Sequence, residues 1–336
     1  MIVVMSPDCT QRQLDEVQRR VERRGLSAHL SQGVERTVVG VLGSIPPDFK
    51  DELELLPGVA EVVPISKPYK LASREFHPDN SVVMVGDVAI GGPEPVIMAG
   101  PCSVEDEEQM VSTARAVKAA GARILRGGAF KPRTSPYSFR GMGIEGLELL
   151  QLAKQETGLP IITEVMAPGD VDTVAQYADI LQIGTRNMQN YNLLDEVGRI
   201  NKPVMVKRGF AAPYEEWLLA AEYVMAGGNT QVILCERGIR AFEHYTRFTL
   251  DVAAIPVIKR LSHLPILADP SHSTGKWYLV TPVALAAIAA GAHGLLIEVH
   301  PNPDIAKCDG PQSLTFPNFA NLMDQVRAVT AAVSTC

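Results

Sequence analysis

Cysteine is scarce in this chain, which has five cysteines among 336 residues. The number is odd and the positions are widely scattered, whereas secreted disulfide scaffolds carry an even number at close spacing. A disulfide framework is therefore excluded, and each cysteine matters only as a thiol beside other ligands or cations. The five are Cys9, Cys102, Cys235, Cys308 and Cys336.

Long apolar runs and an excess of positive charge are lacking as well. No stretch reaches the roughly 18 apolar residues of a membrane helix, and the first residues show no basic segment followed by an apolar one. The formal net charge of −7 argues against a nucleic-acid partner. The sequence therefore predicts a cytoplasmic protein that binds neither membranes nor nucleic acid.

The composition is that of a globular protein, with 46% hydrophobic and 21% charged residues, and the length suits one large and one small domain. In residues 1–67, four short apolar runs and two helical patterns predict the β-α-β-β-α-β order of a ferredoxin-like α+β domain. No catalytic residue types gather there, so regulation or assembly is its expected role. Residues 68–93 predict a connector with a β-hairpin that turns at Gly86-Asp87.

Residues 94–336 alternate short apolar runs with helical patterns. Eight strand–helix units in about 240 residues predict a (β/α)8 TIM barrel, whose strand ends all meet at one mouth. The residues directly after the runs are rich in charge, hydroxyls and sulfur, as such a mouth requires. The runs are 96–99, 123–125, 161–163, 180–183, 204–206, 232–234, 266–268 and 295–297.

The stretch most densely loaded with polar groups is residues 125–141, after the second run. It combines cations and hydroxyls with two adjacent glycines and two prolines. Guanidinium and hydroxyl donors suit a phosphate or carboxylate, and glycine lets the backbone approach a ligand closely. The alternative is a solvated basic loop. The cations are Arg126, Lys131, Arg133 and Arg140, and the hydroxyls belong to Thr134, Ser135, Tyr137 and Ser138.

Six cations from several strand ends are predicted to converge at the barrel mouth. Their convergence would be costly through repulsion and desolvation unless anions bind, so phosphates are the expected ligands. Glu164 and Glu236 are expected to neutralise part of this charge. For any single cation, a salt bridge on the rim is the alternative. The six are Arg126, Lys131, Arg133, Arg186, Lys207 and Arg237.

A thiol, an imidazole and two carboxylates at strand ends predict a metal site. The candidate ligands are Cys102, His272, Glu298 and Asp309. This mixture favours a divalent transition metal with open positions, Mn2+, Fe2+, Co2+ or Zn2+, because magnesium and calcium avoid sulfur. The spacing matches no short metal motif. The alternatives are a buried apolar role for Cys102 and a hydrogen-bonded turn role for His272, and His300 is an alternative ligand or a partner of one.

Seven motifs at these positions resemble the 3-deoxy-D-arabino-heptulosonate 7-phosphate (DAHP) synthases, in their short type I beta form. The N-terminal pattern is similar to the ferredoxin-like regulatory domain that some members carry. The motifs are AGPCSVE at Ala99, LRGGAFKPRTSPYSFRG at Leu125, QIGTRNMQN at Gln182, KPVMVKRG at Lys202, CERGIR at Cys235, DPSHSTG at Asp269 and IEVHPNP at Ile297.

The resemblance implies condensation of phosphoenolpyruvate with erythrose 4-phosphate and water, the first step of the shikimate pathway. By similarity, phosphoenolpyruvate would be held by Arg126, Lys131, Arg186, Lys207 and Arg237. Erythrose 4-phosphate would be held by Arg133, Thr134 and Ser135, and the metal by Cys102, His272, Glu298 and Asp309. Lys131 would also donate a proton near the aldehyde, and Glu164 would assist the water or stabilise the cations.

Two other functions remain open from the sequence. The first is 3-deoxy-D-manno-octulosonate 8-phosphate synthase, which uses arabinose 5-phosphate but shows a KANRSS-like loop where this chain has KPRTS at Lys131. The second is a non-catalytic sugar-phosphate sensor, which would need no metal.

Three further expectations concern regulation. Tyrosine or phenylalanine is the expected effector at the N-terminal domain, and a homotetramer is the expected assembly. If Asp309 points at the metal, Cys308 lies near Cys102, and a disulfide between the two would remove a metal ligand and silence the enzyme.

Overall fold

The computed structural model describes residues 1–33, 36–43, 45, 46, 48–63, 68–132, 135 and 137–333. The chain forms two compact units, the first comprising Met1–Asn80 with Arg260–His263 and the second Ser81–Lys259 with Leu264–Cys336. The predicted domain boundary at residue 67 stays a prediction, because the first compact unit continues to Asn80. No helix among the described residues is both long and apolar enough to cross a membrane.

The first unit contains a four-stranded antiparallel sheet in the order β2-β3-β1-β4 and two helices. Its first helix begins at a capping box, in which Thr10 and Gln13 satisfy each other's backbone N–H groups. The alternation of strands and helices confirms the ferredoxin-like prediction. The elements are β1 (Ile2–Met5), α1 (Gln11–Arg23), β2 (Ser27–Gln32), β3 (Thr37–Leu42), α2 (Phe49–Glu54) and β4 (Val59–Val63).

The second unit begins with the hairpin β5 (Val83–Val85) and β6 (Val88–Ile90). Gly86 forms its turn with a φ of 61°, a conformation that favours glycine. The apolar side chains of the hairpin belong to the same buried cluster as residues that begin barrel strands, such as Ile124 and Ile180. The hairpin therefore closes the N-terminal end of the barrel.

In the described part of the chain, eight parallel strands close into a barrel in sequence order, β7 to β14, which confirms the predicted TIM barrel. The strands are β7 (Val96–Gly100), β8 (Ile124–Arg126), β9 (Ile161–Val165), β10 (Ile180–Ile183), β11 (Val204–Lys207), β12 (Val232–Glu236), β13 (Ile266–Ala268) and β14 (Gly294–Glu298).

The strands of the barrel are connected through α-helices, and the last helix follows β14. In the helices, apolar side chains recur every 3–4 residues and form one buried face. In the strands, they form short continuous runs that are buried on both sides. The alternation of these two patterns along the chain gives the alternation of helices and strands. The helices are α3 (Glu107–Ala120), α4 (Ile144–Thr157), α5 (Val171–Tyr177), α6 (Tyr191–Gly198), α7 (Tyr214–Ala226), α8 (Ala254–Leu261), α9 (Pro270–Thr274), α10 (Trp277–Ala289) and α11 (Phe316–Val333).

Candidate active site

The four predicted metal ligands meet at the C-terminal end of the barrel. Their ligand atoms all lie within 4.8 Å of one another. His272 Nε2 is 3.3 Å from Glu298 Oε1 and 3.8 Å from Asp309 Oδ2, and Cys102 Sγ is 3.4 Å from the same Asp309 oxygen. Residues up to 207 positions apart in the chain thus surround one point.

The hydrogen bonding of His272 suits a metal ligand. Its Nδ1 lies 2.7 Å from Asp269 Oδ2, and because an ionised carboxylate only accepts, Nδ1 carries the proton. Burial lowers the pKa of His272, which favours the neutral ring. The unprotonated Nε2 then faces Glu298 and Asp309 with its lone pair, as a metal ligand must. The donor set therefore fits a divalent transition metal.

The two carboxylates of the cluster have opposite electrostatic environments. Burial raises the pKa of Glu298 to about 7, and the sulfur of Cys102 adds to this. Burial also opposes ionisation of Asp309, but positive charge on His272 when its ring is protonated, and on Arg247 and Lys131, outweighs burial and holds the pKa of Asp309 at about 2. Asp309 has a φ of 52°, the one positive φ of a non-glycine residue in the described ranges. Such strain is typical of functional positions.

Two thiols lie side by side at this cluster. Cys102 Sγ and Cys308 Sγ are 2.9 Å apart, and both residues are buried, free cysteines. A disulfide bond requires about 2.05 Å between the sulfurs. The predicted proximity is therefore observed, and the oxidised pairing stays a prediction.

Lys131 reaches the metal cluster from the basic loop. Its Nζ donates to Cys102 O at 2.9 Å and lies 3.1 Å from Cys102 Sγ. Gly128 makes room for it, because a Cβ at that position would lie 3.0 Å from Lys131 Nζ and 2.8 Å from Cys102 O. Glycine at position 128 thus allows both the Lys131 side chain and the backbone at Cys102 to come close to it.

Five of the six predicted cations line one cavity of about 530 Å³ that borders on the metal cluster. Arg126 is buried, pairs with Glu298 at 3.1 Å and donates to Pro101 O at 2.6 Å. Lys207 is buried and paired with Asp269. Of the predicted set, the cavity lining includes Arg126, Lys131, Ser135, Glu164, Arg186, Lys207, Arg237, His272 and Asp309. Two further predicted residues, Arg133 and Thr134, lie outside the described residues.

Glu164 enters this cavity beside Gly184. A Cβ at Gly184 would overlap the Oε1 atom of Glu164, so the absence of a side chain at 184 creates the space for the carboxylate. Glu164 lies on β9 and Gly184 directly follows the neighbouring strand β10, in which Gln182 pairs in register with Glu164. Glu164 therefore places a carboxyl group in the cavity that the cations line, and its neutralising role stays a prediction.

The expectation that Glu236 neutralises part of the cationic charge stays a prediction, and its negative charge acts to raise the pKa of the predicted cation Arg237. The Glu236 carboxylate pairs with Arg208 at 2.9 Å and accepts the N–H of Gly238 at 2.7 Å, and it does not line the cavity. The physical reason is the alternation of side chains along a strand. Cys235 belongs to the core inside the barrel, so the next residue, Glu236, points outward.

His300, considered as an alternative ligand, lies outside the metal cluster. Its Nε2 is 3.5 Å from Glu105 Oε2, and both residues are buried. Glu105 also accepts the N–H of Lys307 at 2.8 Å. His300 thus lies beside Glu105, whose hydrogen bond to Lys307 holds the loop before Asp309.

Several residues of the site were not predicted. Asp269 connects Lys207 to His272, and Gln312 donates to Glu298 Oε2 at 2.5 Å. Asp269 carried a signal in the DPSH motif, whereas nothing in the sequence singles out Gln312. Other unpredicted residues that line the cavity are Gln182, Thr185, Phe210, Arg240, Arg247 and Phe248.

A barrel with a mixed thiol, imidazole and carboxylate cluster beside a cation-lined cavity defines a metal-assisted enzyme for anionic substrates. The model of the DAHP synthetase I family matches residues 68–335, and that of the DAHP synthase ferredoxin-like domain matches residues 1–67. The chain therefore belongs to the DAHP synthetase I family. Members of this family use a divalent metal ion.

The similarity to a DAHP synthase extends over the full chain. The phospho-2-dehydro-3-deoxyheptonate aldolase of Thermotoga maritima is 50% identical over 333 residues, which cover 99% of this chain and 98% of that protein. The crystal structure of the Thermotoga maritima DAHP synthase matches with a TM-score of 0.79 and covers 99% of this chain and 97% of that one. A truncated form of the Thermotoga enzyme matches 78% of this chain and 97% of that one, with a TM-score of 0.74.

A more distant relative has the other activity that the sequence left open. The 2-dehydro-3-deoxyphosphooctonate aldolase of Geobacter sulfurreducens is 32% identical over 271 residues, 75% of this chain and 98% of that protein. Its identity with this chain is thus lower than that of the Thermotoga enzyme, and the match covers a smaller share of this chain.

Proposed function

We propose that this protein is a DAHP synthase, which condenses phosphoenolpyruvate with erythrose 4-phosphate and water and releases phosphate. The observation that carries the proposal is the 50% identity with the Thermotoga enzyme over both units of the chain. The cavity supports it, because cations from several strand ends border on a cluster that can hold a metal.

The cations would bind the carboxylate and phosphate of phosphoenolpyruvate. Because both substrates are anionic, positive charge must offset their repulsion while holding them within reach of each other. The residues in this role are Arg126, Lys131, Arg186, Lys207 and Arg237. Ser135, Arg133 and Thr134 would bind the phosphate of erythrose 4-phosphate. Of these three, only Ser135 is among the described residues.

The reaction forms one carbon–carbon bond and one carbon–oxygen bond, the latter from water, and breaks the carbon–oxygen bond to phosphate. Carbon 3 of phosphoenolpyruvate attacks the aldehyde carbon, and Lys131 Nζ supplies the proton that the new alkoxide takes up. Water then adds to carbon 2, assisted by Glu164, and phosphate leaves with the C–O bond electrons. Cys102, His272, Glu298 and Asp309 would hold the divalent ion, Mn2+, Fe2+, Co2+ or Zn2+, which when bound would supply Lewis acidity for the aldehyde oxygen.

Phosphate release from phosphoenolpyruvate tests this function. We expect erythrose 4-phosphate to support turnover and arabinose 5-phosphate to give little or none. EDTA should abolish the activity and Mn2+ should restore it. A preference for arabinose 5-phosphate would establish the octulosonate activity instead, and no turnover with either sugar would favour a sensor. Full activity of a metal-free preparation would contradict the metal assignment.

We also propose that the ferredoxin-like domain regulates the barrel by binding tyrosine or phenylalanine in a homotetramer. The match of residues 1–67 to the DAHP synthase ferredoxin-like domain supports this role. Mass determination in solution tests the tetramer, and inhibition of turnover by each amino acid tests the effector.

A further inference from the structure

Two phenylalanine rings at the barrel mouth form a stack to which the proposed reaction assigns no role. Phe210 follows β11, and Phe248 lies between β12 and α8. Their ring centroids are 5.1 Å apart and their planes differ by 8°. Both rings are partly buried and line the same cavity as the cations. An aromatic face carries partial negative charge, so such a stack in an anion-binding cavity needs an explanation.

Arginine side chains surround this stack. Each guanidinium carbon lies within about 6 Å of a ring centroid, the range of cation–π attraction. The distances are 4.0 Å from Arg237 to Phe248, 5.1 Å from Arg237 to Phe210, 5.6 Å from Arg186 to Phe210, 5.5 Å from Arg240 to Phe210 and 6.0 Å from Arg247 to Phe248.

Arg237 is the arginine that depends most on the rings. It is 3% exposed, and no carboxylate pairs with it within the described ranges. Among the described residues, the buried Nε of Arg237 has no hydrogen-bond partner. Its Nη1 donates only to Gly238 O, at 3.4 Å. Burial lowers the pKa of Arg237 to about 10. Arg126, by contrast, is paired with Glu298.

A ring and a carboxylate stabilise a guanidinium in different ways. A carboxylate accepts from the N–H groups at the edge and so occupies the donors that an anionic substrate needs. A ring contacts the flat face and leaves those donors available. The stack therefore offsets part of the cost of burying Arg237 while its donors stay available to a ligand.

The backbone holds both rings in place. Phe210 O accepts from Arg240 N at 2.7 Å, and Phe248 N donates to Ser273 O at 2.7 Å. Gly238, with a φ of 93°, allows this packing, because a Cβ there would lie 2.8 Å from Phe248 Cβ. The stack is thus a fixed part of the cavity wall.

We propose that Phe210 and Phe248 are positioning residues, whose stacked rings hold Arg186 and Arg237 converged on the cavity before the anionic substrate binds. The identity of that anion, phosphoenolpyruvate, rests on the proposed function. Replacing a ring by an aliphatic chain should weaken binding of phosphoenolpyruvate and affect the sugar phosphate little.

Leucine and tyrosine variants of the full-length protein test this proposal in the presence of Mn2+. We expect Phe248→Leu to raise both the calorimetric Kd and the KM for phosphoenolpyruvate about 3- to 30-fold. The KM for erythrose 4-phosphate should change little. Phe248→Tyr keeps the ring and should bind phosphoenolpyruvate like the wild type. Phe210→Leu and Phe210→Tyr should show the same contrast.

Phe319→Leu is the matched control, because it removes a buried ring from α11 that no arginine contacts in the described part of the chain. It should lower the Tm and leave the Kd for phosphoenolpyruvate unchanged. If Phe248→Leu does not fold, Phe248→Met provides the aliphatic comparison. The proposal would be overturned if the aliphatic variants at both positions bound phosphoenolpyruvate with the wild-type Kd. It would also be overturned if the leucine and tyrosine variants lost affinity for phosphoenolpyruvate to the same extent. Wild-type protein that binds phosphoenolpyruvate without turnover would refute only the proposed function.

Discussion

Gln312 links the metal cluster to the substrate cavity through its side-chain amide. Its Nε2 donates to Glu298 Oε2 at 2.5 Å, and its Oε1 accepts from Arg247 Nη1 at 3.1 Å. The residue is buried, so water cannot easily replace either bond. Partners of this kind orient a ligand and tune its affinity for a metal.

Gln312→Met should therefore weaken metal binding. The substitution keeps the side-chain length but leaves one oxygen of Glu298 without its donor, and we expect the Kd for Mn2+ to rise about 10- to 100-fold. At saturating Mn2+, most of the activity should return. Titration of the metal-free protein with Mn2+, followed by electron paramagnetic resonance, measures the effect. Gln325→Met, which affects only a surface contact with Asn321, is the control. Equal Mn2+ affinity in both variants would contradict the role of Gln312.

Gly184→Ala tests the position of Glu164. The φ of Gly184 is −67°, so alanine meets no backbone strain there, and the obstacle is the carboxylate of Glu164. A methyl group would displace that carboxylate, and we expect kcat to fall roughly 10- to 100-fold, since small misplacements of catalytic groups have effects of this size. Gly169→Ala is the control, because a Cβ at Gly169 meets no atom within 4 Å. Normal kcat in Gly184→Ala would show that the position of Glu164 does not matter.

At the scale of elements, strand alternation decides which polar residues share the cavity. Lys207 lines it, whereas the next residue, Arg208, points away and pairs with Glu236 at 2.9 Å and Asp251 at 3.0 Å. This outward network connects the segment after β11 to the segment before α8. The latter segment carries Phe248, so a network outside the cavity helps to hold its wall.

The segment after α8 contains a histidine whose ionisation should affect stability. His263 Nε2 lies 2.7 Å from Leu71 O, and its ring centroid is 4.6 Å from that of His77. Burial lowers the pKa of His263 to about 4, and the positive charges of His77 and Arg74 contribute. The unfolded chain binds this proton near pH 6.5. Stability is therefore full above about pH 6.5 and is lost as the pH falls toward 4.

His263→Gln should reduce this loss. Between pH 7 and pH 5 the wild type should lose about 1–2 kcal/mol more of its free energy of unfolding than the variant, as the linkage relation requires. Urea denaturation at the two pH values measures the difference. His244→Gln, at an exposed histidine, should behave like the wild type. If the three proteins lose stability in parallel, His263 makes no such contribution.

At the scale of the whole molecule, removal of residues 1–67 separates regulation from catalysis. The shortened chain keeps every barrel strand, the metal cluster and the described residues that line the cavity. We expect it to retain DAHP synthase activity and to lose inhibition by tyrosine or phenylalanine. Rates measured with and without each amino acid, on both chains, provide the comparison. Unchanged inhibition of the shortened chain would contradict a regulatory role for the N-terminal domain.

The sequence by itself determined the barrel, the ferredoxin-like order and the four candidate metal ligands that lie together. Apolar periodicity defines each strand and helix locally, and closing eight parallel strands brings their polar ends to one mouth. Cys102 and Asp309 could therefore be paired across 207 positions before any distance was known.

Only the tertiary structure decided how the cavity wall is built. Phe210, Arg247 and Phe248 lie on segments whose paths depend on contacts distant in sequence, so periodicity carries no signal for them. The same holds for Gln312, whose neighbour Glu298 belongs to another element. Strand alternation also turns Glu236 away from the cavity lining and toward Arg208, which the polar residues at the strand end do not reveal by themselves. Local pattern specifies elements, whereas packing between elements decides which side chains meet.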